Sequence, residues 1–254
     1  MVLGLVLAVI TLTSFGLNIR PVAAGFPSAI WSADFESGDQ SQFSGGPQET
    51  GGAKVVTSSS VQYEGTYSGY YYYAGPPGGE KRNAYPAHYL SGERPSKFLV
   101  ELWVYVPSNV DGQHVTLTDW VSFATLWVNE GSWRTGECLT VDSNSKRQLN
   151  LWMGMFPAEP RVLYQRNPVQ WPFDRWFKIG IQGDLRPGTA NSRITVLQDN
   201  VAIIDYVGNL GEIYDGLDEM HFGLYMSADQ GAFAVYNDAI VVRPATTLQV
   251  HKRS

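Results

Sequence analysis

From residue 30 onward the chain never sustains an apolar period of 3.6. It is cut instead into short runs of β-branched and aromatic residues separated by Gly, Pro, Asn and Asp. The run "KFLVELWVYVP" (97–107) alternates cleanly and stops at Pro107. The segments "AIWSADFES", "WVSFATLWVNE", "CLTVDS", "QLNLWMGM", "WFKIGIQGD", "SRITVLQDN", "VAIIDYVG", "MHFGLYMS" and "FAVYNDAIVVRP" have the same character. In "VLQDNVAIIDY" the pair Asp199-Asn200 marks a two-residue hairpin turn. At most a turn of helix fits, at "NLGEIYDG" (209–216). This patterning predicts an all-β fold, an antiparallel sandwich.

The first residues form an uncharged apolar run followed by Val22-Ala23-Ala24, a small-residue site suited to signal peptidase. Residues 1–24 are therefore expected to be a signal peptide, with the secreted, extracellular chain starting at Gly25. A membrane anchor is the alternative, but Thr11, Thr13, Ser14 and Asn18 interrupt the run. Residues 25–254 suit one sandwich domain, since such domains run to about 250 residues undivided. Cys138 is the only cysteine, so no intrachain disulfide staples the fold. The net charge of −6 argues against a nucleic acid or anionic membrane as partner. A monomer is expected.

The eight Trp and fourteen Tyr supply flat apolar faces with a polar edge, on which sugar rings stack, although a sandwich core also consumes such residues. Two segments, 74–97 and 157–172, read as long loops carrying Tyr, Trp, Arg, His and Asn, a binding-like composition. Along Tyr70, Tyr71, Tyr72 and Tyr73 the strand period sends two phenols to the core and two to an open surface.

Taken together, "WSADFESGD", "FLVELWVYVP" leading to "DWVSFATLW", "WFKIGIQGDL" and "HFGLYMS" followed by "FAVYNDAIVV" resemble secreted polysaccharide lyases of the heparin lyase and glucuronan lyase type. The resemblance spans residues 30–243 and implies a concanavalin A-like jelly roll. Its most specific part is the closing hairpin. Where that family tends to have Lys-x-Gly-x-Tyr and then a strand with an Asp, this chain has His221, Gly223 and Tyr225, then Asp238. The family's chemistry is β-elimination from an anionic, uronic-acid polysaccharide. The resemblance then implies Tyr225 as proton-transfer group, with His221, Arg82 and His88 assisting. Asn83, Tyr85, Tyr71, Trp127 and Arg166 would bind substrate. One departure stands out: the family's mid-chain Gln-Trp-His segment falls on "FATLW", which has neither Gln nor His, and His114 lies too early to replace it.

A polyuronate must be met by cations, which the sequence concentrates beside aromatics as Lys81, Arg82, Arg161 and Arg166. A non-catalytic carbohydrate-binding sandwich is the alternative reading. "DFESGD" and "YNDAIVV" also resemble the paired first and last strands of such modules, which often hold a structural calcium. Asp34, Glu36 and Asp238 would be its hard oxygen ligands, and turn capping is their other reading. Glu212, Asp215, Asp218 and Glu219 fall in what reads as a turn, which disfavours a glycosidase pair. No nucleophile elbow, zinc-binding His pair or phosphate loop is present. Cys138 has no activating neighbours in sequence and is expected to be buried.

Overall fold

The computed structural model describes residues 28–90, 92, 94–128, 138–154, 161–210 and 216–245. The expected signal peptide, Glu212, Asp215 and the middle of the helical turn read at 209–216 lie outside them. No helix occurs among the described residues, and every strand pairing is antiparallel.

One sheet runs β15 (Val201–Gly208), β14 (Ser192–Gln198), β13 (Phe177–Asp184), β6 (Lys97–Tyr105), β17 (Phe233–Pro244), β4 (Ser68–Tyr73) and β3 (Lys54–Ser58), with β1 (Trp31–Ala33) also on β17. The second runs β12 (Arg161–Leu163), β11 (Leu149–Gly154), β10 (Cys138–Ser143), β9 (Val121–Trp127), β16 (Glu219–Met226), β5 (Arg82–Tyr89) and β2 (Gly46–Glu49). A small ribbon joins β7 (Asn109–Val110) to β8 (Gln113–His114). The fold is an antiparallel β-sandwich of jelly-roll type.

Period-two patterning sets the layers. Phe98, Val100, Leu102 and Val104 of β6 are fully buried, while Glu101, Trp103 and Tyr105, which alternate with them, face outward. Met220, Phe222, Leu224 and Met226 of β16 supply the second sheet's share of the core. Trp171 is also fully buried, and its indole N–H finds the Ser143 hydroxyl at 2.8 Å. At the β14–β15 turn Asp199 and Asn200 both have positive φ, 51° and 66°, as a two-residue hairpin requires.

Strand β17 is long enough to serve two partners in succession, β4 up to Asn237 and β1 from Ile240. The hand-over is a bulge at Asp238 and Ala239, where Ala239 takes φ 45°. The Asp238 carboxylate fastens it by accepting N–H bonds from Tyr63, Glu64 and Ala239 at 2.9, 3.2 and 2.7 Å.

The structure corrects several readings. The supposed loop 74–97 contains an eight-residue strand, β5, and 157–172 contributes β12. "RNAYPAHY" was unreadable as a strand because it has Pro86 and alanines in place of β-branched residues. Tyr70 and Tyr72 face outward from the sheet opposite the groove described below, and Tyr71 is wholly in the core. Glu219 opens strand β16 instead of sitting in a turn.

Candidate functional site

Directly opposed residues form rungs across the second sheet. One rung is Asn150, Asp142, Ser122, Tyr225 and Asn83, on β11, β10, β9, β16 and β5 respectively. The next is Trp152, Thr140, Thr125, His221 and Ala87, and a third places Trp127 opposite Cys138 and Glu219. Register shifts between these rungs where β9 meets β10 and β16, an irregularity that re-aims side chains next to a site. Most of these side chains point away from the core and line a groove of about 740 Å³. Its aromatic walls are Tyr85, Trp120, Trp127, Trp152, Tyr164 and Tyr225.

His221 is held on all sides. Its Nε2 donates to the Glu219 carboxylate at 2.6 Å, while its Nδ1 lies 3.4 Å from the Trp127 indole N–H in the accepting position. Tyr85 stacks on the imidazole with centroids 4.3 Å apart and planes 12° apart. The tautomer follows from the two partners: Nε2 carries the proton. Burial first, and Glu219 second, push the Tyr85 phenol up to about 12, so it stays a neutral donor at any physiological pH. Glu219, only 5 % exposed, was missed as the partner of His221; their spacing of two on one strand face was the available signal.

Tyr225 stands edge-on to Trp120 at 5.0 Å, with the Lys81 ammonium 5.9 Å from its ring centroid and 5.7 Å from that of Trp120. No hydrogen bond joins Tyr225 to His221, which reach the groove from opposite sides of Gly223. That glycine has φ 137°, and a Cβ there would meet the Ala84 carbonyl at 2.5 Å and the Tyr71 ring at 3.0 Å. On the same rung as Tyr225, the Ser122 hydroxyl donates to Asp142. Burial in the sheet raises the Asp142 carboxyl to about 7, against the lowering effect of that bond. Sequence patterning could not single out Asp142, because its partner lies twenty residues away.

Of the sequence-predicted residues, Tyr225, His221, Asn83, Tyr85 and Trp127 come together in the groove. The others do not. Arg82 is 2 % exposed and turned the other way, donating to the carbonyls of Pro76, Gly78, Ser227, Ala228 and Gln230 and to the Tyr73 hydroxyl. It clamps two loop segments, 76–78 and 227–230, and its guanidinium lies 4.0 Å from the Tyr73 centroid. His88 lies on the core side of β5, stacked on Trp31 at 4.2 Å; burial lowers it to about 4, so it is neutral. Tyr71 cannot reach a ligand from the core. Arg166 is exposed but outside the groove lining, and Arg161 donates to the Tyr206 hydroxyl at 2.7 Å. Among the described residues Lys81 is thus the one cation in the groove lining, beside Asp119 and Asp142.

The carboxylates of Asp34, Glu36 and Asp238 are each engaged by the chain itself. Asp34 accepts from the Glu36 N–H and the Gln42 amide, Glu36 from the Thr66 and Tyr67 N–H groups, and Asp238 from the three described above. Among the described residues no group of three His, Cys, Asp or Glu is placed to hold a metal.

No protein-family model matches the chain, and no curated protein sequence does. Solved structures do. An endo-β-1,4-glucuronan lyase from the fungus Trichoderma reesei superposes with a TM-score of 0.66 at 13% identity, covering 86% of this chain and 96% of that one. Alginate lyase vAL-1 from a Chlorella virus gives 0.62 at 9% identity, covering 86% and 100%. The cellulose-induced protein Cip1 gives 0.59 at 16%, covering 87% and 99%. At such identities the likeness is one of fold.

Proposed function

We propose that this chain is an exported polysaccharide lyase that cleaves a uronic-acid glycan by β-elimination, with Tyr225 moving the proton. The observation that carries the reading is Tyr225 itself. It stands in the middle of an aromatic-walled groove, beside the cation of Lys81, in a fold shared with glucuronan and alginate lyases. In the reaction the Tyr225 oxygen takes the proton at C5, next to the sugar's carboxylate. The C–H electron pair forms the C4=C5 double bond, the C4–O bond breaks, and the departing oxygen takes a proton from the same phenol. One product ends in an unsaturated uronate and the other in a hydroxyl. His221, fixed by Glu219 and Trp127, carries Tyr85 as a platform for the adjoining sugar.

The test is ultraviolet detection of the conjugated double bond on glucuronan, alginate, pectate and glycosaminoglycans. Tyr225→Phe should lower turnover by about 10² or more while binding survives; unchanged turnover would overturn the assignment. Export is tested by N-terminal sequencing of secreted protein, which should begin at Gly25. One observation favours a second reading, glycan binding without chemistry: among the described residues the groove lining holds one cation, Lys81, against two acidic residues, Asp119 and Asp142, which suits a neutral glycan. Salt-independent binding of xylan or cellulose, with no unsaturated product from any uronate, would establish that reading instead.

A further inference from the structure

Removing a proton beside a carboxylate builds negative charge on that carboxylate, and a site that accelerates the step must stabilise the charge as it develops. Arginine does this well, yet Arg82 is committed to loop carbonyls and Arg161 to Tyr206. What the groove offers on the rung of Tyr225 is Asp142, two strands away. Neighbouring strands are about 4.8 Å apart, so the two backbones are separated by roughly 10 Å. Between them on the same rung stands Ser122, a short side chain that also lines the groove. Ser122 takes one oxygen of Asp142, and among the described residues the carboxyl has no other hydrogen-bond partner.

Resting on the elimination reading above, we propose that Asp142, protonated and steadied by Ser122, receives the carboxylate of the uronate held between it and Tyr225. A neutral acid donates a short hydrogen bond to a carboxylate, and that bond strengthens as charge accumulates on the acceptor. Ionised, the same group repels the substrate. With its carboxyl raised to about 7, Asp142 holds its proton on the acid side of neutrality. The groups facing it from β9 and β11 are uncharged: Ser122, Thr125, Asn150 and Trp152. From β16 come Tyr225 and His221, the latter bound to Glu219; the segments before β5 and β9 bring Lys81 and Asp119. The preferred ligand is thus a uronate glycan met below or near neutral pH.

The experiment uses Tyr225→Phe as a background that binds without turning over, with and without Asp142→Asn, titrated with oligoglucuronate across the pH range. The background protein should lose uronate affinity by about tenfold or more as pH rises through 7. The amide introduced by Asp142→Asn donates at every pH, so the double variant should lose that dependence, and neutral xylo-oligosaccharides should lack it in both. Ser122→Ala in the same background should move the loss to higher pH, because the Ser122 bond favours the ionised acid. Identical pH profiles with and without Asp142→Asn would overturn the proposal even if the wild type proves to be a lyase. An absence of unsaturated product from wild type at every pH would instead sink the elimination reading and leave these binding profiles to judge Asp142 alone.

Discussion

The outer face of the eight-stranded sheet and the groove face of the other sheet are both rich in aromatic side chains, but only one set is closed on itself. On the outer face Tyr63 stacks on Trp103 at 3.9 Å, and Tyr70 stacks on Tyr72 and Tyr236 at 4.8 and 4.3 Å. Tyr105 and Trp176 seal the remaining edges. Charges there are paired as well: Glu101 sits between Lys178 and Arg243 at 2.7 and 2.9 Å, and Arg193 grips both oxygens of Asp205. In the groove Trp152 and Tyr164 have no ring partner among the described residues, and Tyr164 is 66 % exposed. The Asn83 amide oxygen has no hydrogen-bond partner there either. A surface whose faces are covered by its own neighbours has nothing left for a ligand. Aromatic composition alone therefore does not mark a sugar site; open ring faces do.

Arg82 is the largest lever on this contrast, since sequence assigned it to the groove and the structure makes it a fastening. Arg82→Ala should leave several buried carbonyls unpaired and cost about 3–5 kcal/mol of stability, read by denaturant unfolding. A variant of normal stability that loses only glycan affinity would return Arg82 to the groove. Next in size is a pair of tryptophan truncations that should trade effects. Trp103→Ala should cost about 2 kcal/mol of stability and leave glycan affinity unchanged, whereas Trp152→Ala should lower affinity about tenfold at nearly unchanged stability. Equal effects from both would erase the distinction between closed and open sets.

How much of this was legible in the sequence depends on whether a residue's role was local. The strands around Val100, Ile179 and Phe222 announce themselves, because their patterning reflects the core they face. So does the strand that brings His221 and Tyr225 to one face, although the strand after it, β17, lies in the other sheet and is not its hairpin partner. Strand β5 did not, yet its own alternation held the answer to Arg82: Asn83 and Tyr85 on one face put Arg82 and His88 on the other. The loop-like composition around them hid it. Asp142 was out of reach altogether, since its importance comes from which residues lie opposite it on β9 and β16.

A smaller effect separates the acids of the two regions by pH. Asp142 in the groove is raised to about 7 and Asp238 at the outer bulge to about 6, both mainly by burial. A carboxyl raised in the fold favours the folded state while protonated. Its contribution is complete below the unfolded value and is lost as pH rises through the folded one. Stability should accordingly decline from pH 4 to pH 7. Asp142→Asn should remove part of the decline, gaining about 1–2 kcal/mol over wild type on the alkaline side and nothing at pH 4. A decline of the same size in both proteins would assign it to Asp238, whose three N–H partners already offset part of its burial.

The smallest expected effect is that of chelation. If the outer face is complete in itself, its acidic strand ends need no ion: Asp34, Glu36 and Asp238 each accept hydrogen bonds that fix a turn or a bulge. A bound ion stabilises by mass action in proportion to the logarithm of its concentration over its dissociation constant, so even a modest site raises Tm as calcium is added. Thermal melts of the full chain in excess chelator and in millimolar calcium should coincide. A calcium-dependent rise would mean that these carboxylates leave their backbone partners for the ion. Repeating the melt with Asp238→Asn would then locate it: a rise that disappears belongs to the bulge, and one that persists belongs to another part of the chain. In either case the outer face would have proved to be as dependent on a ligand as the groove, and the contrast between the two regions would fail.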